Sequence, residues 1–319
     1  MRIRPFLPIL LVSLFLSPAF AEPTTQPATT QPAVATAADF LRYVDRGDEG
    51  GRLETADVAY RNAAGVTVHL VAAVHIGERE YFEGLNQNFK LRDAVLYEMV
   101  KAKDQPAPTP GQESHSSVSE FQRFLKNALD LEFQLDCIDY TAPNFIHADL
   151  DAETFQKMQD DRGESMTMLM LKSMMQQMTK PQPEVTDEQS EQQMEDLVKV
   201  FTRPDSERRM KIVLAKQLAD MEGGGMGMDM MDGTVILTER NKAAIKTLEQ
   251  ALKDGKKDIA IFYGAAHMPD LSKHLEQLGF HPIATEWRMA WNLTLRQDQP
   301  SAVENMLMDL MKGMKELDQ

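Results

Sequence analysis

Apolar residues in this chain gather into runs of two periods. Residues 66–77 (VTVHLVAAVHIG) and 258–269 (DIAIFYGAAHMP) are apolar runs of strand length, and each closes on small residues followed by a histidine, His75 and His267. Residues 78–90 place Tyr81, Leu85 and Phe89 at four-residue spacing, which predicts a helix. Residues 93–100 (DAVLYEMV) predict the next strand. Strand, helix and strand in that order make a right-handed βαβ unit with parallel strands. Parallel strands end on one rim of their sheet, so the pattern alone brings His75 and Glu98 together where open α/β sheets bind ligands. Upstream, residues 55–62 and 66–75 flank Ala63-Ala64-Gly65 and predict an opening β-hairpin.

The later pattern divides again. Residues 119–131 predict a helix with Phe121, Phe124, Leu125 and Leu129 on one side, residues 133–140 a short strand, 144–149 a turn and 152–159 a helix. Residues 165–178 are rich in methionine, 180–193 are polar, 194–221 regain helical period, and 222–233 (EGGGMGMDMMDG) read as flexible. We read about 152–232 as a central helical insertion placed to cover a site. Residues 238–253 predict a strong helix with Ile245, Leu248 and Leu252 buried, Thr238 as its cap and Gly255 as its stop. A strand at 258–263, a helix at 270–278, a strand at 283–293 and a terminal helix at 302–317 follow. The expected fold is α/β: a mixed, largely parallel sheet flanked by helices.

The N-terminus changes this picture. Arg2 and Arg4, an apolar stretch at 7–16 and Ala19-Phe20-Ala21 form a signal-peptide pattern over residues 1–21. Residues 22–38 repeat TTQPA and predict a disordered Thr/Pro/Gln linker, leaving 39–319 as the folded domain. The expectation is an exported protein, periplasmic or extracellular, with no transmembrane segment in the mature chain. A single cysteine, Cys137, excludes an internal disulfide, and its apolar setting predicts a small buried residue. A net charge of −15 argues against nucleic acid and anionic membranes as partners. The methionine clusters suit adaptable packing, with soft Cu(I) as the lesser reading.

His75, Glu98 and His267 are the candidate chemistry. Two imidazoles and a carboxylate make a three-ligand metal site with open positions. Arg240 and Asn241 fall in the first turn of the 238–253 helix, where a cation is unexpected. Arg240 either holds a substrate carboxylate or a developing oxyanion, or is solvated and paired with Glu239 or Asp232. The bland alternative makes one histidine a core residue and the other a helix cap, and Glu98 can also act as a general base without metal. His69 reads as packed, His115, His274 and His281 as exposed, and the turn holding His147 and Asp149 as a neighbour of the site. There is no HExxH, G-x-S-x-G, P-loop or dinucleotide glycine pattern.

Taken in order, AAVHIG (72–77), LYEM (96–99), the IDY to FIHADL stretch (138–150), TERN (238–241) and YGAAHMPD (263–270) resemble the TraB/Tiki/GumN superfamily. That family's pattern is two G-x-x-H motifs with a Glu and an Arg between them. Gly264-x-x-His267 matches, while Ala72 stands in place of the first glycine. The resemblance implies two pseudo-repeated halves and kinship with erythromycin-esterase-like and ChaN-like haem-uptake proteins. It implies His75, Glu98 and His267 as metal ligands, Arg240 in support, and Mn or Co as the metal. The expected function is an exported metal-dependent hydrolase of the Tiki type acting on a peptide or amide bond. The candidate catalytic residues are Glu98, Arg240 and Asn241, and the substrate a peptide or small molecule. The rival is an exported haem- or metal-binding protein without turnover.

Overall fold

The computed structural model describes residues 40–109, 129–164, 206–222 and 233–294. In chain order these form β1 (Leu41–Asp45), β2 (Gly51–Arg61), β3 (Thr67–Ala73), β4 (Ile76–Gly77), α1 (Arg79–Phe89) and β5 (Ala94–Tyr97). There follow β6 (Glu132–Phe133), α2 (Gln134–Cys137), β7 (Phe145–His147), α3 (Ala152–Arg162), α4 (Ser206–Glu222), α5 (Arg240–Lys253), β8 (Asp258–Gly264), α6 (Met268–Gln277) and β9 (His281–Asn292).

β2 and β3 form the predicted hairpin. Asn62 Oδ1 accepts from the backbone N–H groups of Ala64 and Val66, and Gly65 takes φ 78°, a conformation glycine adopts without strain. β2 pairs antiparallel with β9 along one edge, and along the other first with β1 and then with β3. From β3 outward the order is β3-β8-β5-β7, all parallel. β3, α1 and β5 are thus parallel as the βαβ pattern requires, but β8 lies between the two strands. The histidine-ending runs are direct neighbours, with Ala73 opposite Gly264.

Ala94, Val95 and Leu96 of β5 and Ile259, Ala260 and Ile261 of β8 are buried on both faces, as strands inside a parallel sheet are. Phe89 of α1 lies with its ring centroid 4.8 Å from that of Phe262 and 5.5 Å from that of Phe145, so these rings share the face that α1 covers. Tyr263 then projects from the opposite face by strand alternation. α5 and α6 pack on each other and against β5 and β3. Leu248 is the buried centre of the α5 stripe, Ile245 and Leu252 flank it half-buried, and Gly255 turns the chain at φ 81°.

Three expectations change. The strand expected at 133–140 is only β6 followed by a helical turn, because its partner β4 is two residues long and Gln134 N–H is drawn to His75 O. The turn expected at 144–149 contains β7, aligned on β5 by Asn144, whose carbonyl accepts Val95 N–H and whose amide donates to Phe89 O and Arg92 O. Thr238 does not cap α5. A π-helical turn, Val235–Glu239, runs directly into that helix, and Thr238 Oγ1 accepts from Gly233 N–H instead.

The signal peptide, the linker, most of the 119–131 helix, the methionine-rich and polar stretches at 165–193, most of 222–233 and the terminal helix lie outside the described residues. Of the region read as an insertion, α3 and α4 are described, and α4 packs on β1 and β2. Among the described residues no helix is long and apolar enough to cross a membrane.

Phe262, wholly buried between α1 and the sheet, is expected to set stability: Phe262→Ala should lower the unfolding free energy by about 3–5 kcal/mol in a denaturant titration.

Candidate functional site

Four parallel strands deliver four groups to one rim. His75 follows β3 by two residues, Glu98 directly follows β5, and Asp149 follows β7 by two. After β8 a single 3-10 turn, Ala265–His267, carries His267 back over the strand ends. α5 brings Arg240 and Asn241 in from outside the sheet.

Glu98 is held at both oxygens. Oε2 accepts the Gly264 N–H at 2.7 Å and Oε1 accepts from Arg240 Nη2 at 2.7 Å. Arg240 also grips Asp149, Nε lying 3.0 Å from Oδ1 and Nη2 2.6 Å from Oδ2. The Asp149 side chain is 0% exposed, and those of Glu98 and Arg240 are 11% exposed. Burial works against the Glu98 carboxylate. The positive charge of Arg240, with the Gly264 N–H, more than offsets it, holding the carboxyl well below the usual carboxylate range. Burial likewise opposes the Arg240 charge, and Glu98 and Asp149 more than restore it. Arg240 is thus engaged by two buried carboxylates. Of the candidates named from sequence, Glu239 holds Arg162 and Lys242 instead, and Asp232 lies outside the described residues.

A chain of three side chains fixes His267. Asn241 Nδ2 donates to Asp270 Oδ2 at 2.7 Å and to His267 O at 3.3 Å, both of which only accept. The other end of the amide, Oδ1, therefore faces His267 Nδ1 at 2.6 Å, and Nδ1 must carry the proton. Nε2 is left with its lone pair, 3.6 Å from Glu98 Oε1. Burial first, against the pull of Glu98, takes the His267 pKa down to about 4, so the ring is neutral at physiological pH. Two acceptors thus face each other, an arrangement suited to a cation or to an O–H or N–H donor between them. Asn241, fully buried, orients His267 rather than reaching a substrate.

Gly264 keeps the gap open. Its backbone, φ −54° and ψ 144°, suits any residue. A Cβ there would lie 3.4 Å from Glu98 Oε2 and 3.8 Å from His267 Cδ2, between carboxylate and imidazole.

His75 is exposed at the bend after β3, within electrostatic reach of both Glu98 and His267. Neutral imidazole nitrogen and carboxylate oxygen are donors that suit a divalent first-row metal. Glu98 and His267 face each other as such donors, while among the described residues no three or more His, Cys, Asp or Glu side chains are grouped so as to hold a metal ion.

Asp149 is the site residue that the sequence placed only nearby; once β7 is a parallel strand, Asp149 falls on the rim. Tyr263 Oη donates to Ala148 O and steadies that turn. The other histidines stand apart. His69 is bound to Asp57 and Arg92, His147 Nε2 donates to Met99 O, His274 lies beside Asp270 and His281 is exposed. His115 lies outside the described residues, and Cys137 is half-buried.

Comparisons with protein-family models, with curated proteins and with solved structures return no match for this chain.

The His267 pKa predicts an acid-sensitive fold. Between about pH 6.5 and about pH 4 the unfolded chain protonates this histidine and the folded chain does not, so stability falls as pH drops through that window. Glu98, depressed in the folded chain, adds a further loss below its ordinary value of 4.5. His267→Gln should flatten the dependence of thermal melting on pH in the upper window and leave the lower one.

Proposed function

We propose that this chain is an exported metal-dependent hydrolase of the TraB/Tiki/GumN type, acting on a peptide or amide bond. The single observation that carries the reading is the Asp270–Asn241–His267 chain, which leaves the Nε2 lone pair facing a charged Glu98 at 3.6 Å. Metal-binding histidines are typically oriented in this way through their second nitrogen. The signal-peptide pattern at 1–21 supports export, and the family reading carries with it the two pseudo-repeated halves.

In this reading His267 and Glu98 hold the ion, and His75 turns in from its exposed position as the third ligand. A carboxylate has about four lone-pair directions. Arg240 and Gly264 use two on Glu98, which leaves capacity for the metal. Bound there, a divalent ion such as Mn or Co lowers the pKa of water and polarises a carbonyl. Arg240 keeps Glu98 ionised and fixed, and Asp149 keeps Arg240 in place. The Gly264 gap admits the reacting group.

The second reading, a haem- or metal-binding protein without turnover, is favoured by one observation: Arg240, the cation expected to assist turnover, is already committed to Asp149 and Glu98.

Metal content and Mn(II) and Co(II) affinity of the purified chain test both. Stoichiometric metal that disappears in a folded His75→Ala/His267→Ala double variant, together with amide hydrolysis lost on His267→Ala, is the expected result. Metal-free protein that hydrolyses amides equally well in both forms overturns it. A Soret band on haem addition, lost in the same variant, would select the binding protein. Asn241→Ala should weaken metal binding about 10–100-fold while the ligands remain. Gly264→Ala, whose backbone tolerates a side chain, should leave thermal melting unchanged and reduce metal affinity.

A further inference from the structure

The rim carries a second polar pair on the α1 side of Glu98. β6 pairs with β4 just beyond His75, and the Gln134 N–H donates to His75 O at 2.9 Å. The Gln134 side chain then donates from Nε2 to Tyr140 Oη at 2.8 Å. The Tyr140 ring lies 5.1 Å from that of Tyr97, the residue before Glu98. Burial, and the nearby Glu98 charge, push the Tyr140 hydroxyl above its ordinary pKa, so it stays protonated.

The pair is deeply buried, Gln134 at 7% and Tyr140 at 3% exposure, yet its hydrogen-bonding capacity is not filled. Gln134 Oε1 is a buried acceptor without a partner among the described residues. Tyr140 Oη is occupied as an acceptor, which leaves its own hydrogen to donate. Buried polar atoms are nearly always paired in folded proteins, so an open acceptor beside an open donor calls for a ligand. The contrast within the molecule is His69, whose ring nitrogens are both engaged, by Asp57 and by Arg92. A group that donates and accepts on one side fits the open pair, and a single residue of extended peptide is one: its N–H meets Gln134 Oε1 and its own C=O, which points the same way, meets the Tyr140 hydroxyl.

We propose that Gln134 and Tyr140 form a backbone-binding subsite beside Glu98, which takes the N–H and C=O of one extended residue neighbouring the bond to be cleaved. The identity of that ligand as a peptide rests on the hydrolase reading; the open donor and acceptor do not. The two residues are specificity determinants: they hold the substrate in register, and the reacting atoms stay at Glu98 and His267.

The test is binding of the capped peptide acetyl-Ala-Ala-Ala-amide, followed by NMR titration, to the wild-type chain and to Gln134→Met, Tyr140→Phe and His281→Ala. Thermal melting checks that each variant is folded. Gln134→Met and Tyr140→Phe should each weaken binding by roughly five- to ten-fold, the worth of one neutral hydrogen bond. His281→Ala, at an exposed position outside the site, should bind the peptide as wild type does. Unchanged binding in folded Gln134→Met and Tyr140→Phe overturns the subsite and assigns the open valences to a structural water. Absence of binding in the wild type overturns it as well. Peptide binding that depends on Gln134 in a chain without hydrolytic activity keeps the subsite and rejects the hydrolase. Hydrolysis with peptide binding indifferent to Gln134 does the reverse.

Discussion

The Arg240 guanidinium, clamped between Asp149 and Glu98, is the interaction on which the rest of the site depends. It joins α5 to the ends of β5 and β7, and Glu98 passes the tie on to β8 through the Gly264 N–H. Three charges are removed from water there. Such a cluster adds little net stability over an apolar one, but removing one member strands the others and costs about 3–5 kcal/mol. Its consequence is geometric. Parallel strands that meet only through backbone ladders are free to splay at their carboxyl ends, and the ion cluster holds three elements in one register at the place where chemistry is done.

Charge follows from the same contact. Glu98 is buried and would otherwise favour its neutral form; with Arg240 beside it, it stays a carboxylate. His267, equally buried, has no such partner within hydrogen-bonding reach of Nε2 and stays neutral. Two titratable groups side by side are thus driven to different states, one ionised and the other neutral. The Asn241–Asp270 pair then decides which imidazole nitrogen keeps its lone pair. A carboxylate and a neutral imidazole facing across a gap that Gly264 leaves open form a site poised for a cation or a proton.

Much of this was legible in the sequence, and the reasons are particular. His75, Glu98 and His267 reach one rim because all three follow parallel strands, and both the strand length of their runs and the intervening helix of the β3–α1–β5 unit are written in apolar periodicity. The position of β8 between β3 and β5 was not legible, because periodicity says nothing of the order in which distant strands pair. β7 was missed because three residues are too few for a period-two signal, and with it went Asp149 as the partner of Arg240. At the start of α5 the apolar Val235-Ile236-Leu237 extends helical backbone upstream of Thr238 and overrides the local capping signal of that threonine. The open valences of Gln134 and Tyr140 are invisible to any pattern, since they depend on what the fold fails to place beside them.

The most direct measurement is the tautomer of His267, read from the two ring-nitrogen shifts in a long-range proton–nitrogen correlation spectrum of the metal-free chain near pH 7. A protonated Nδ1 and an unprotonated Nε2, with the pattern changed when Asn241 is replaced by leucine, is the result this structure predicts. A proton on Nε2, or a doubly protonated ring, would put a donor rather than a lone pair opposite Glu98 and contradict the site as described.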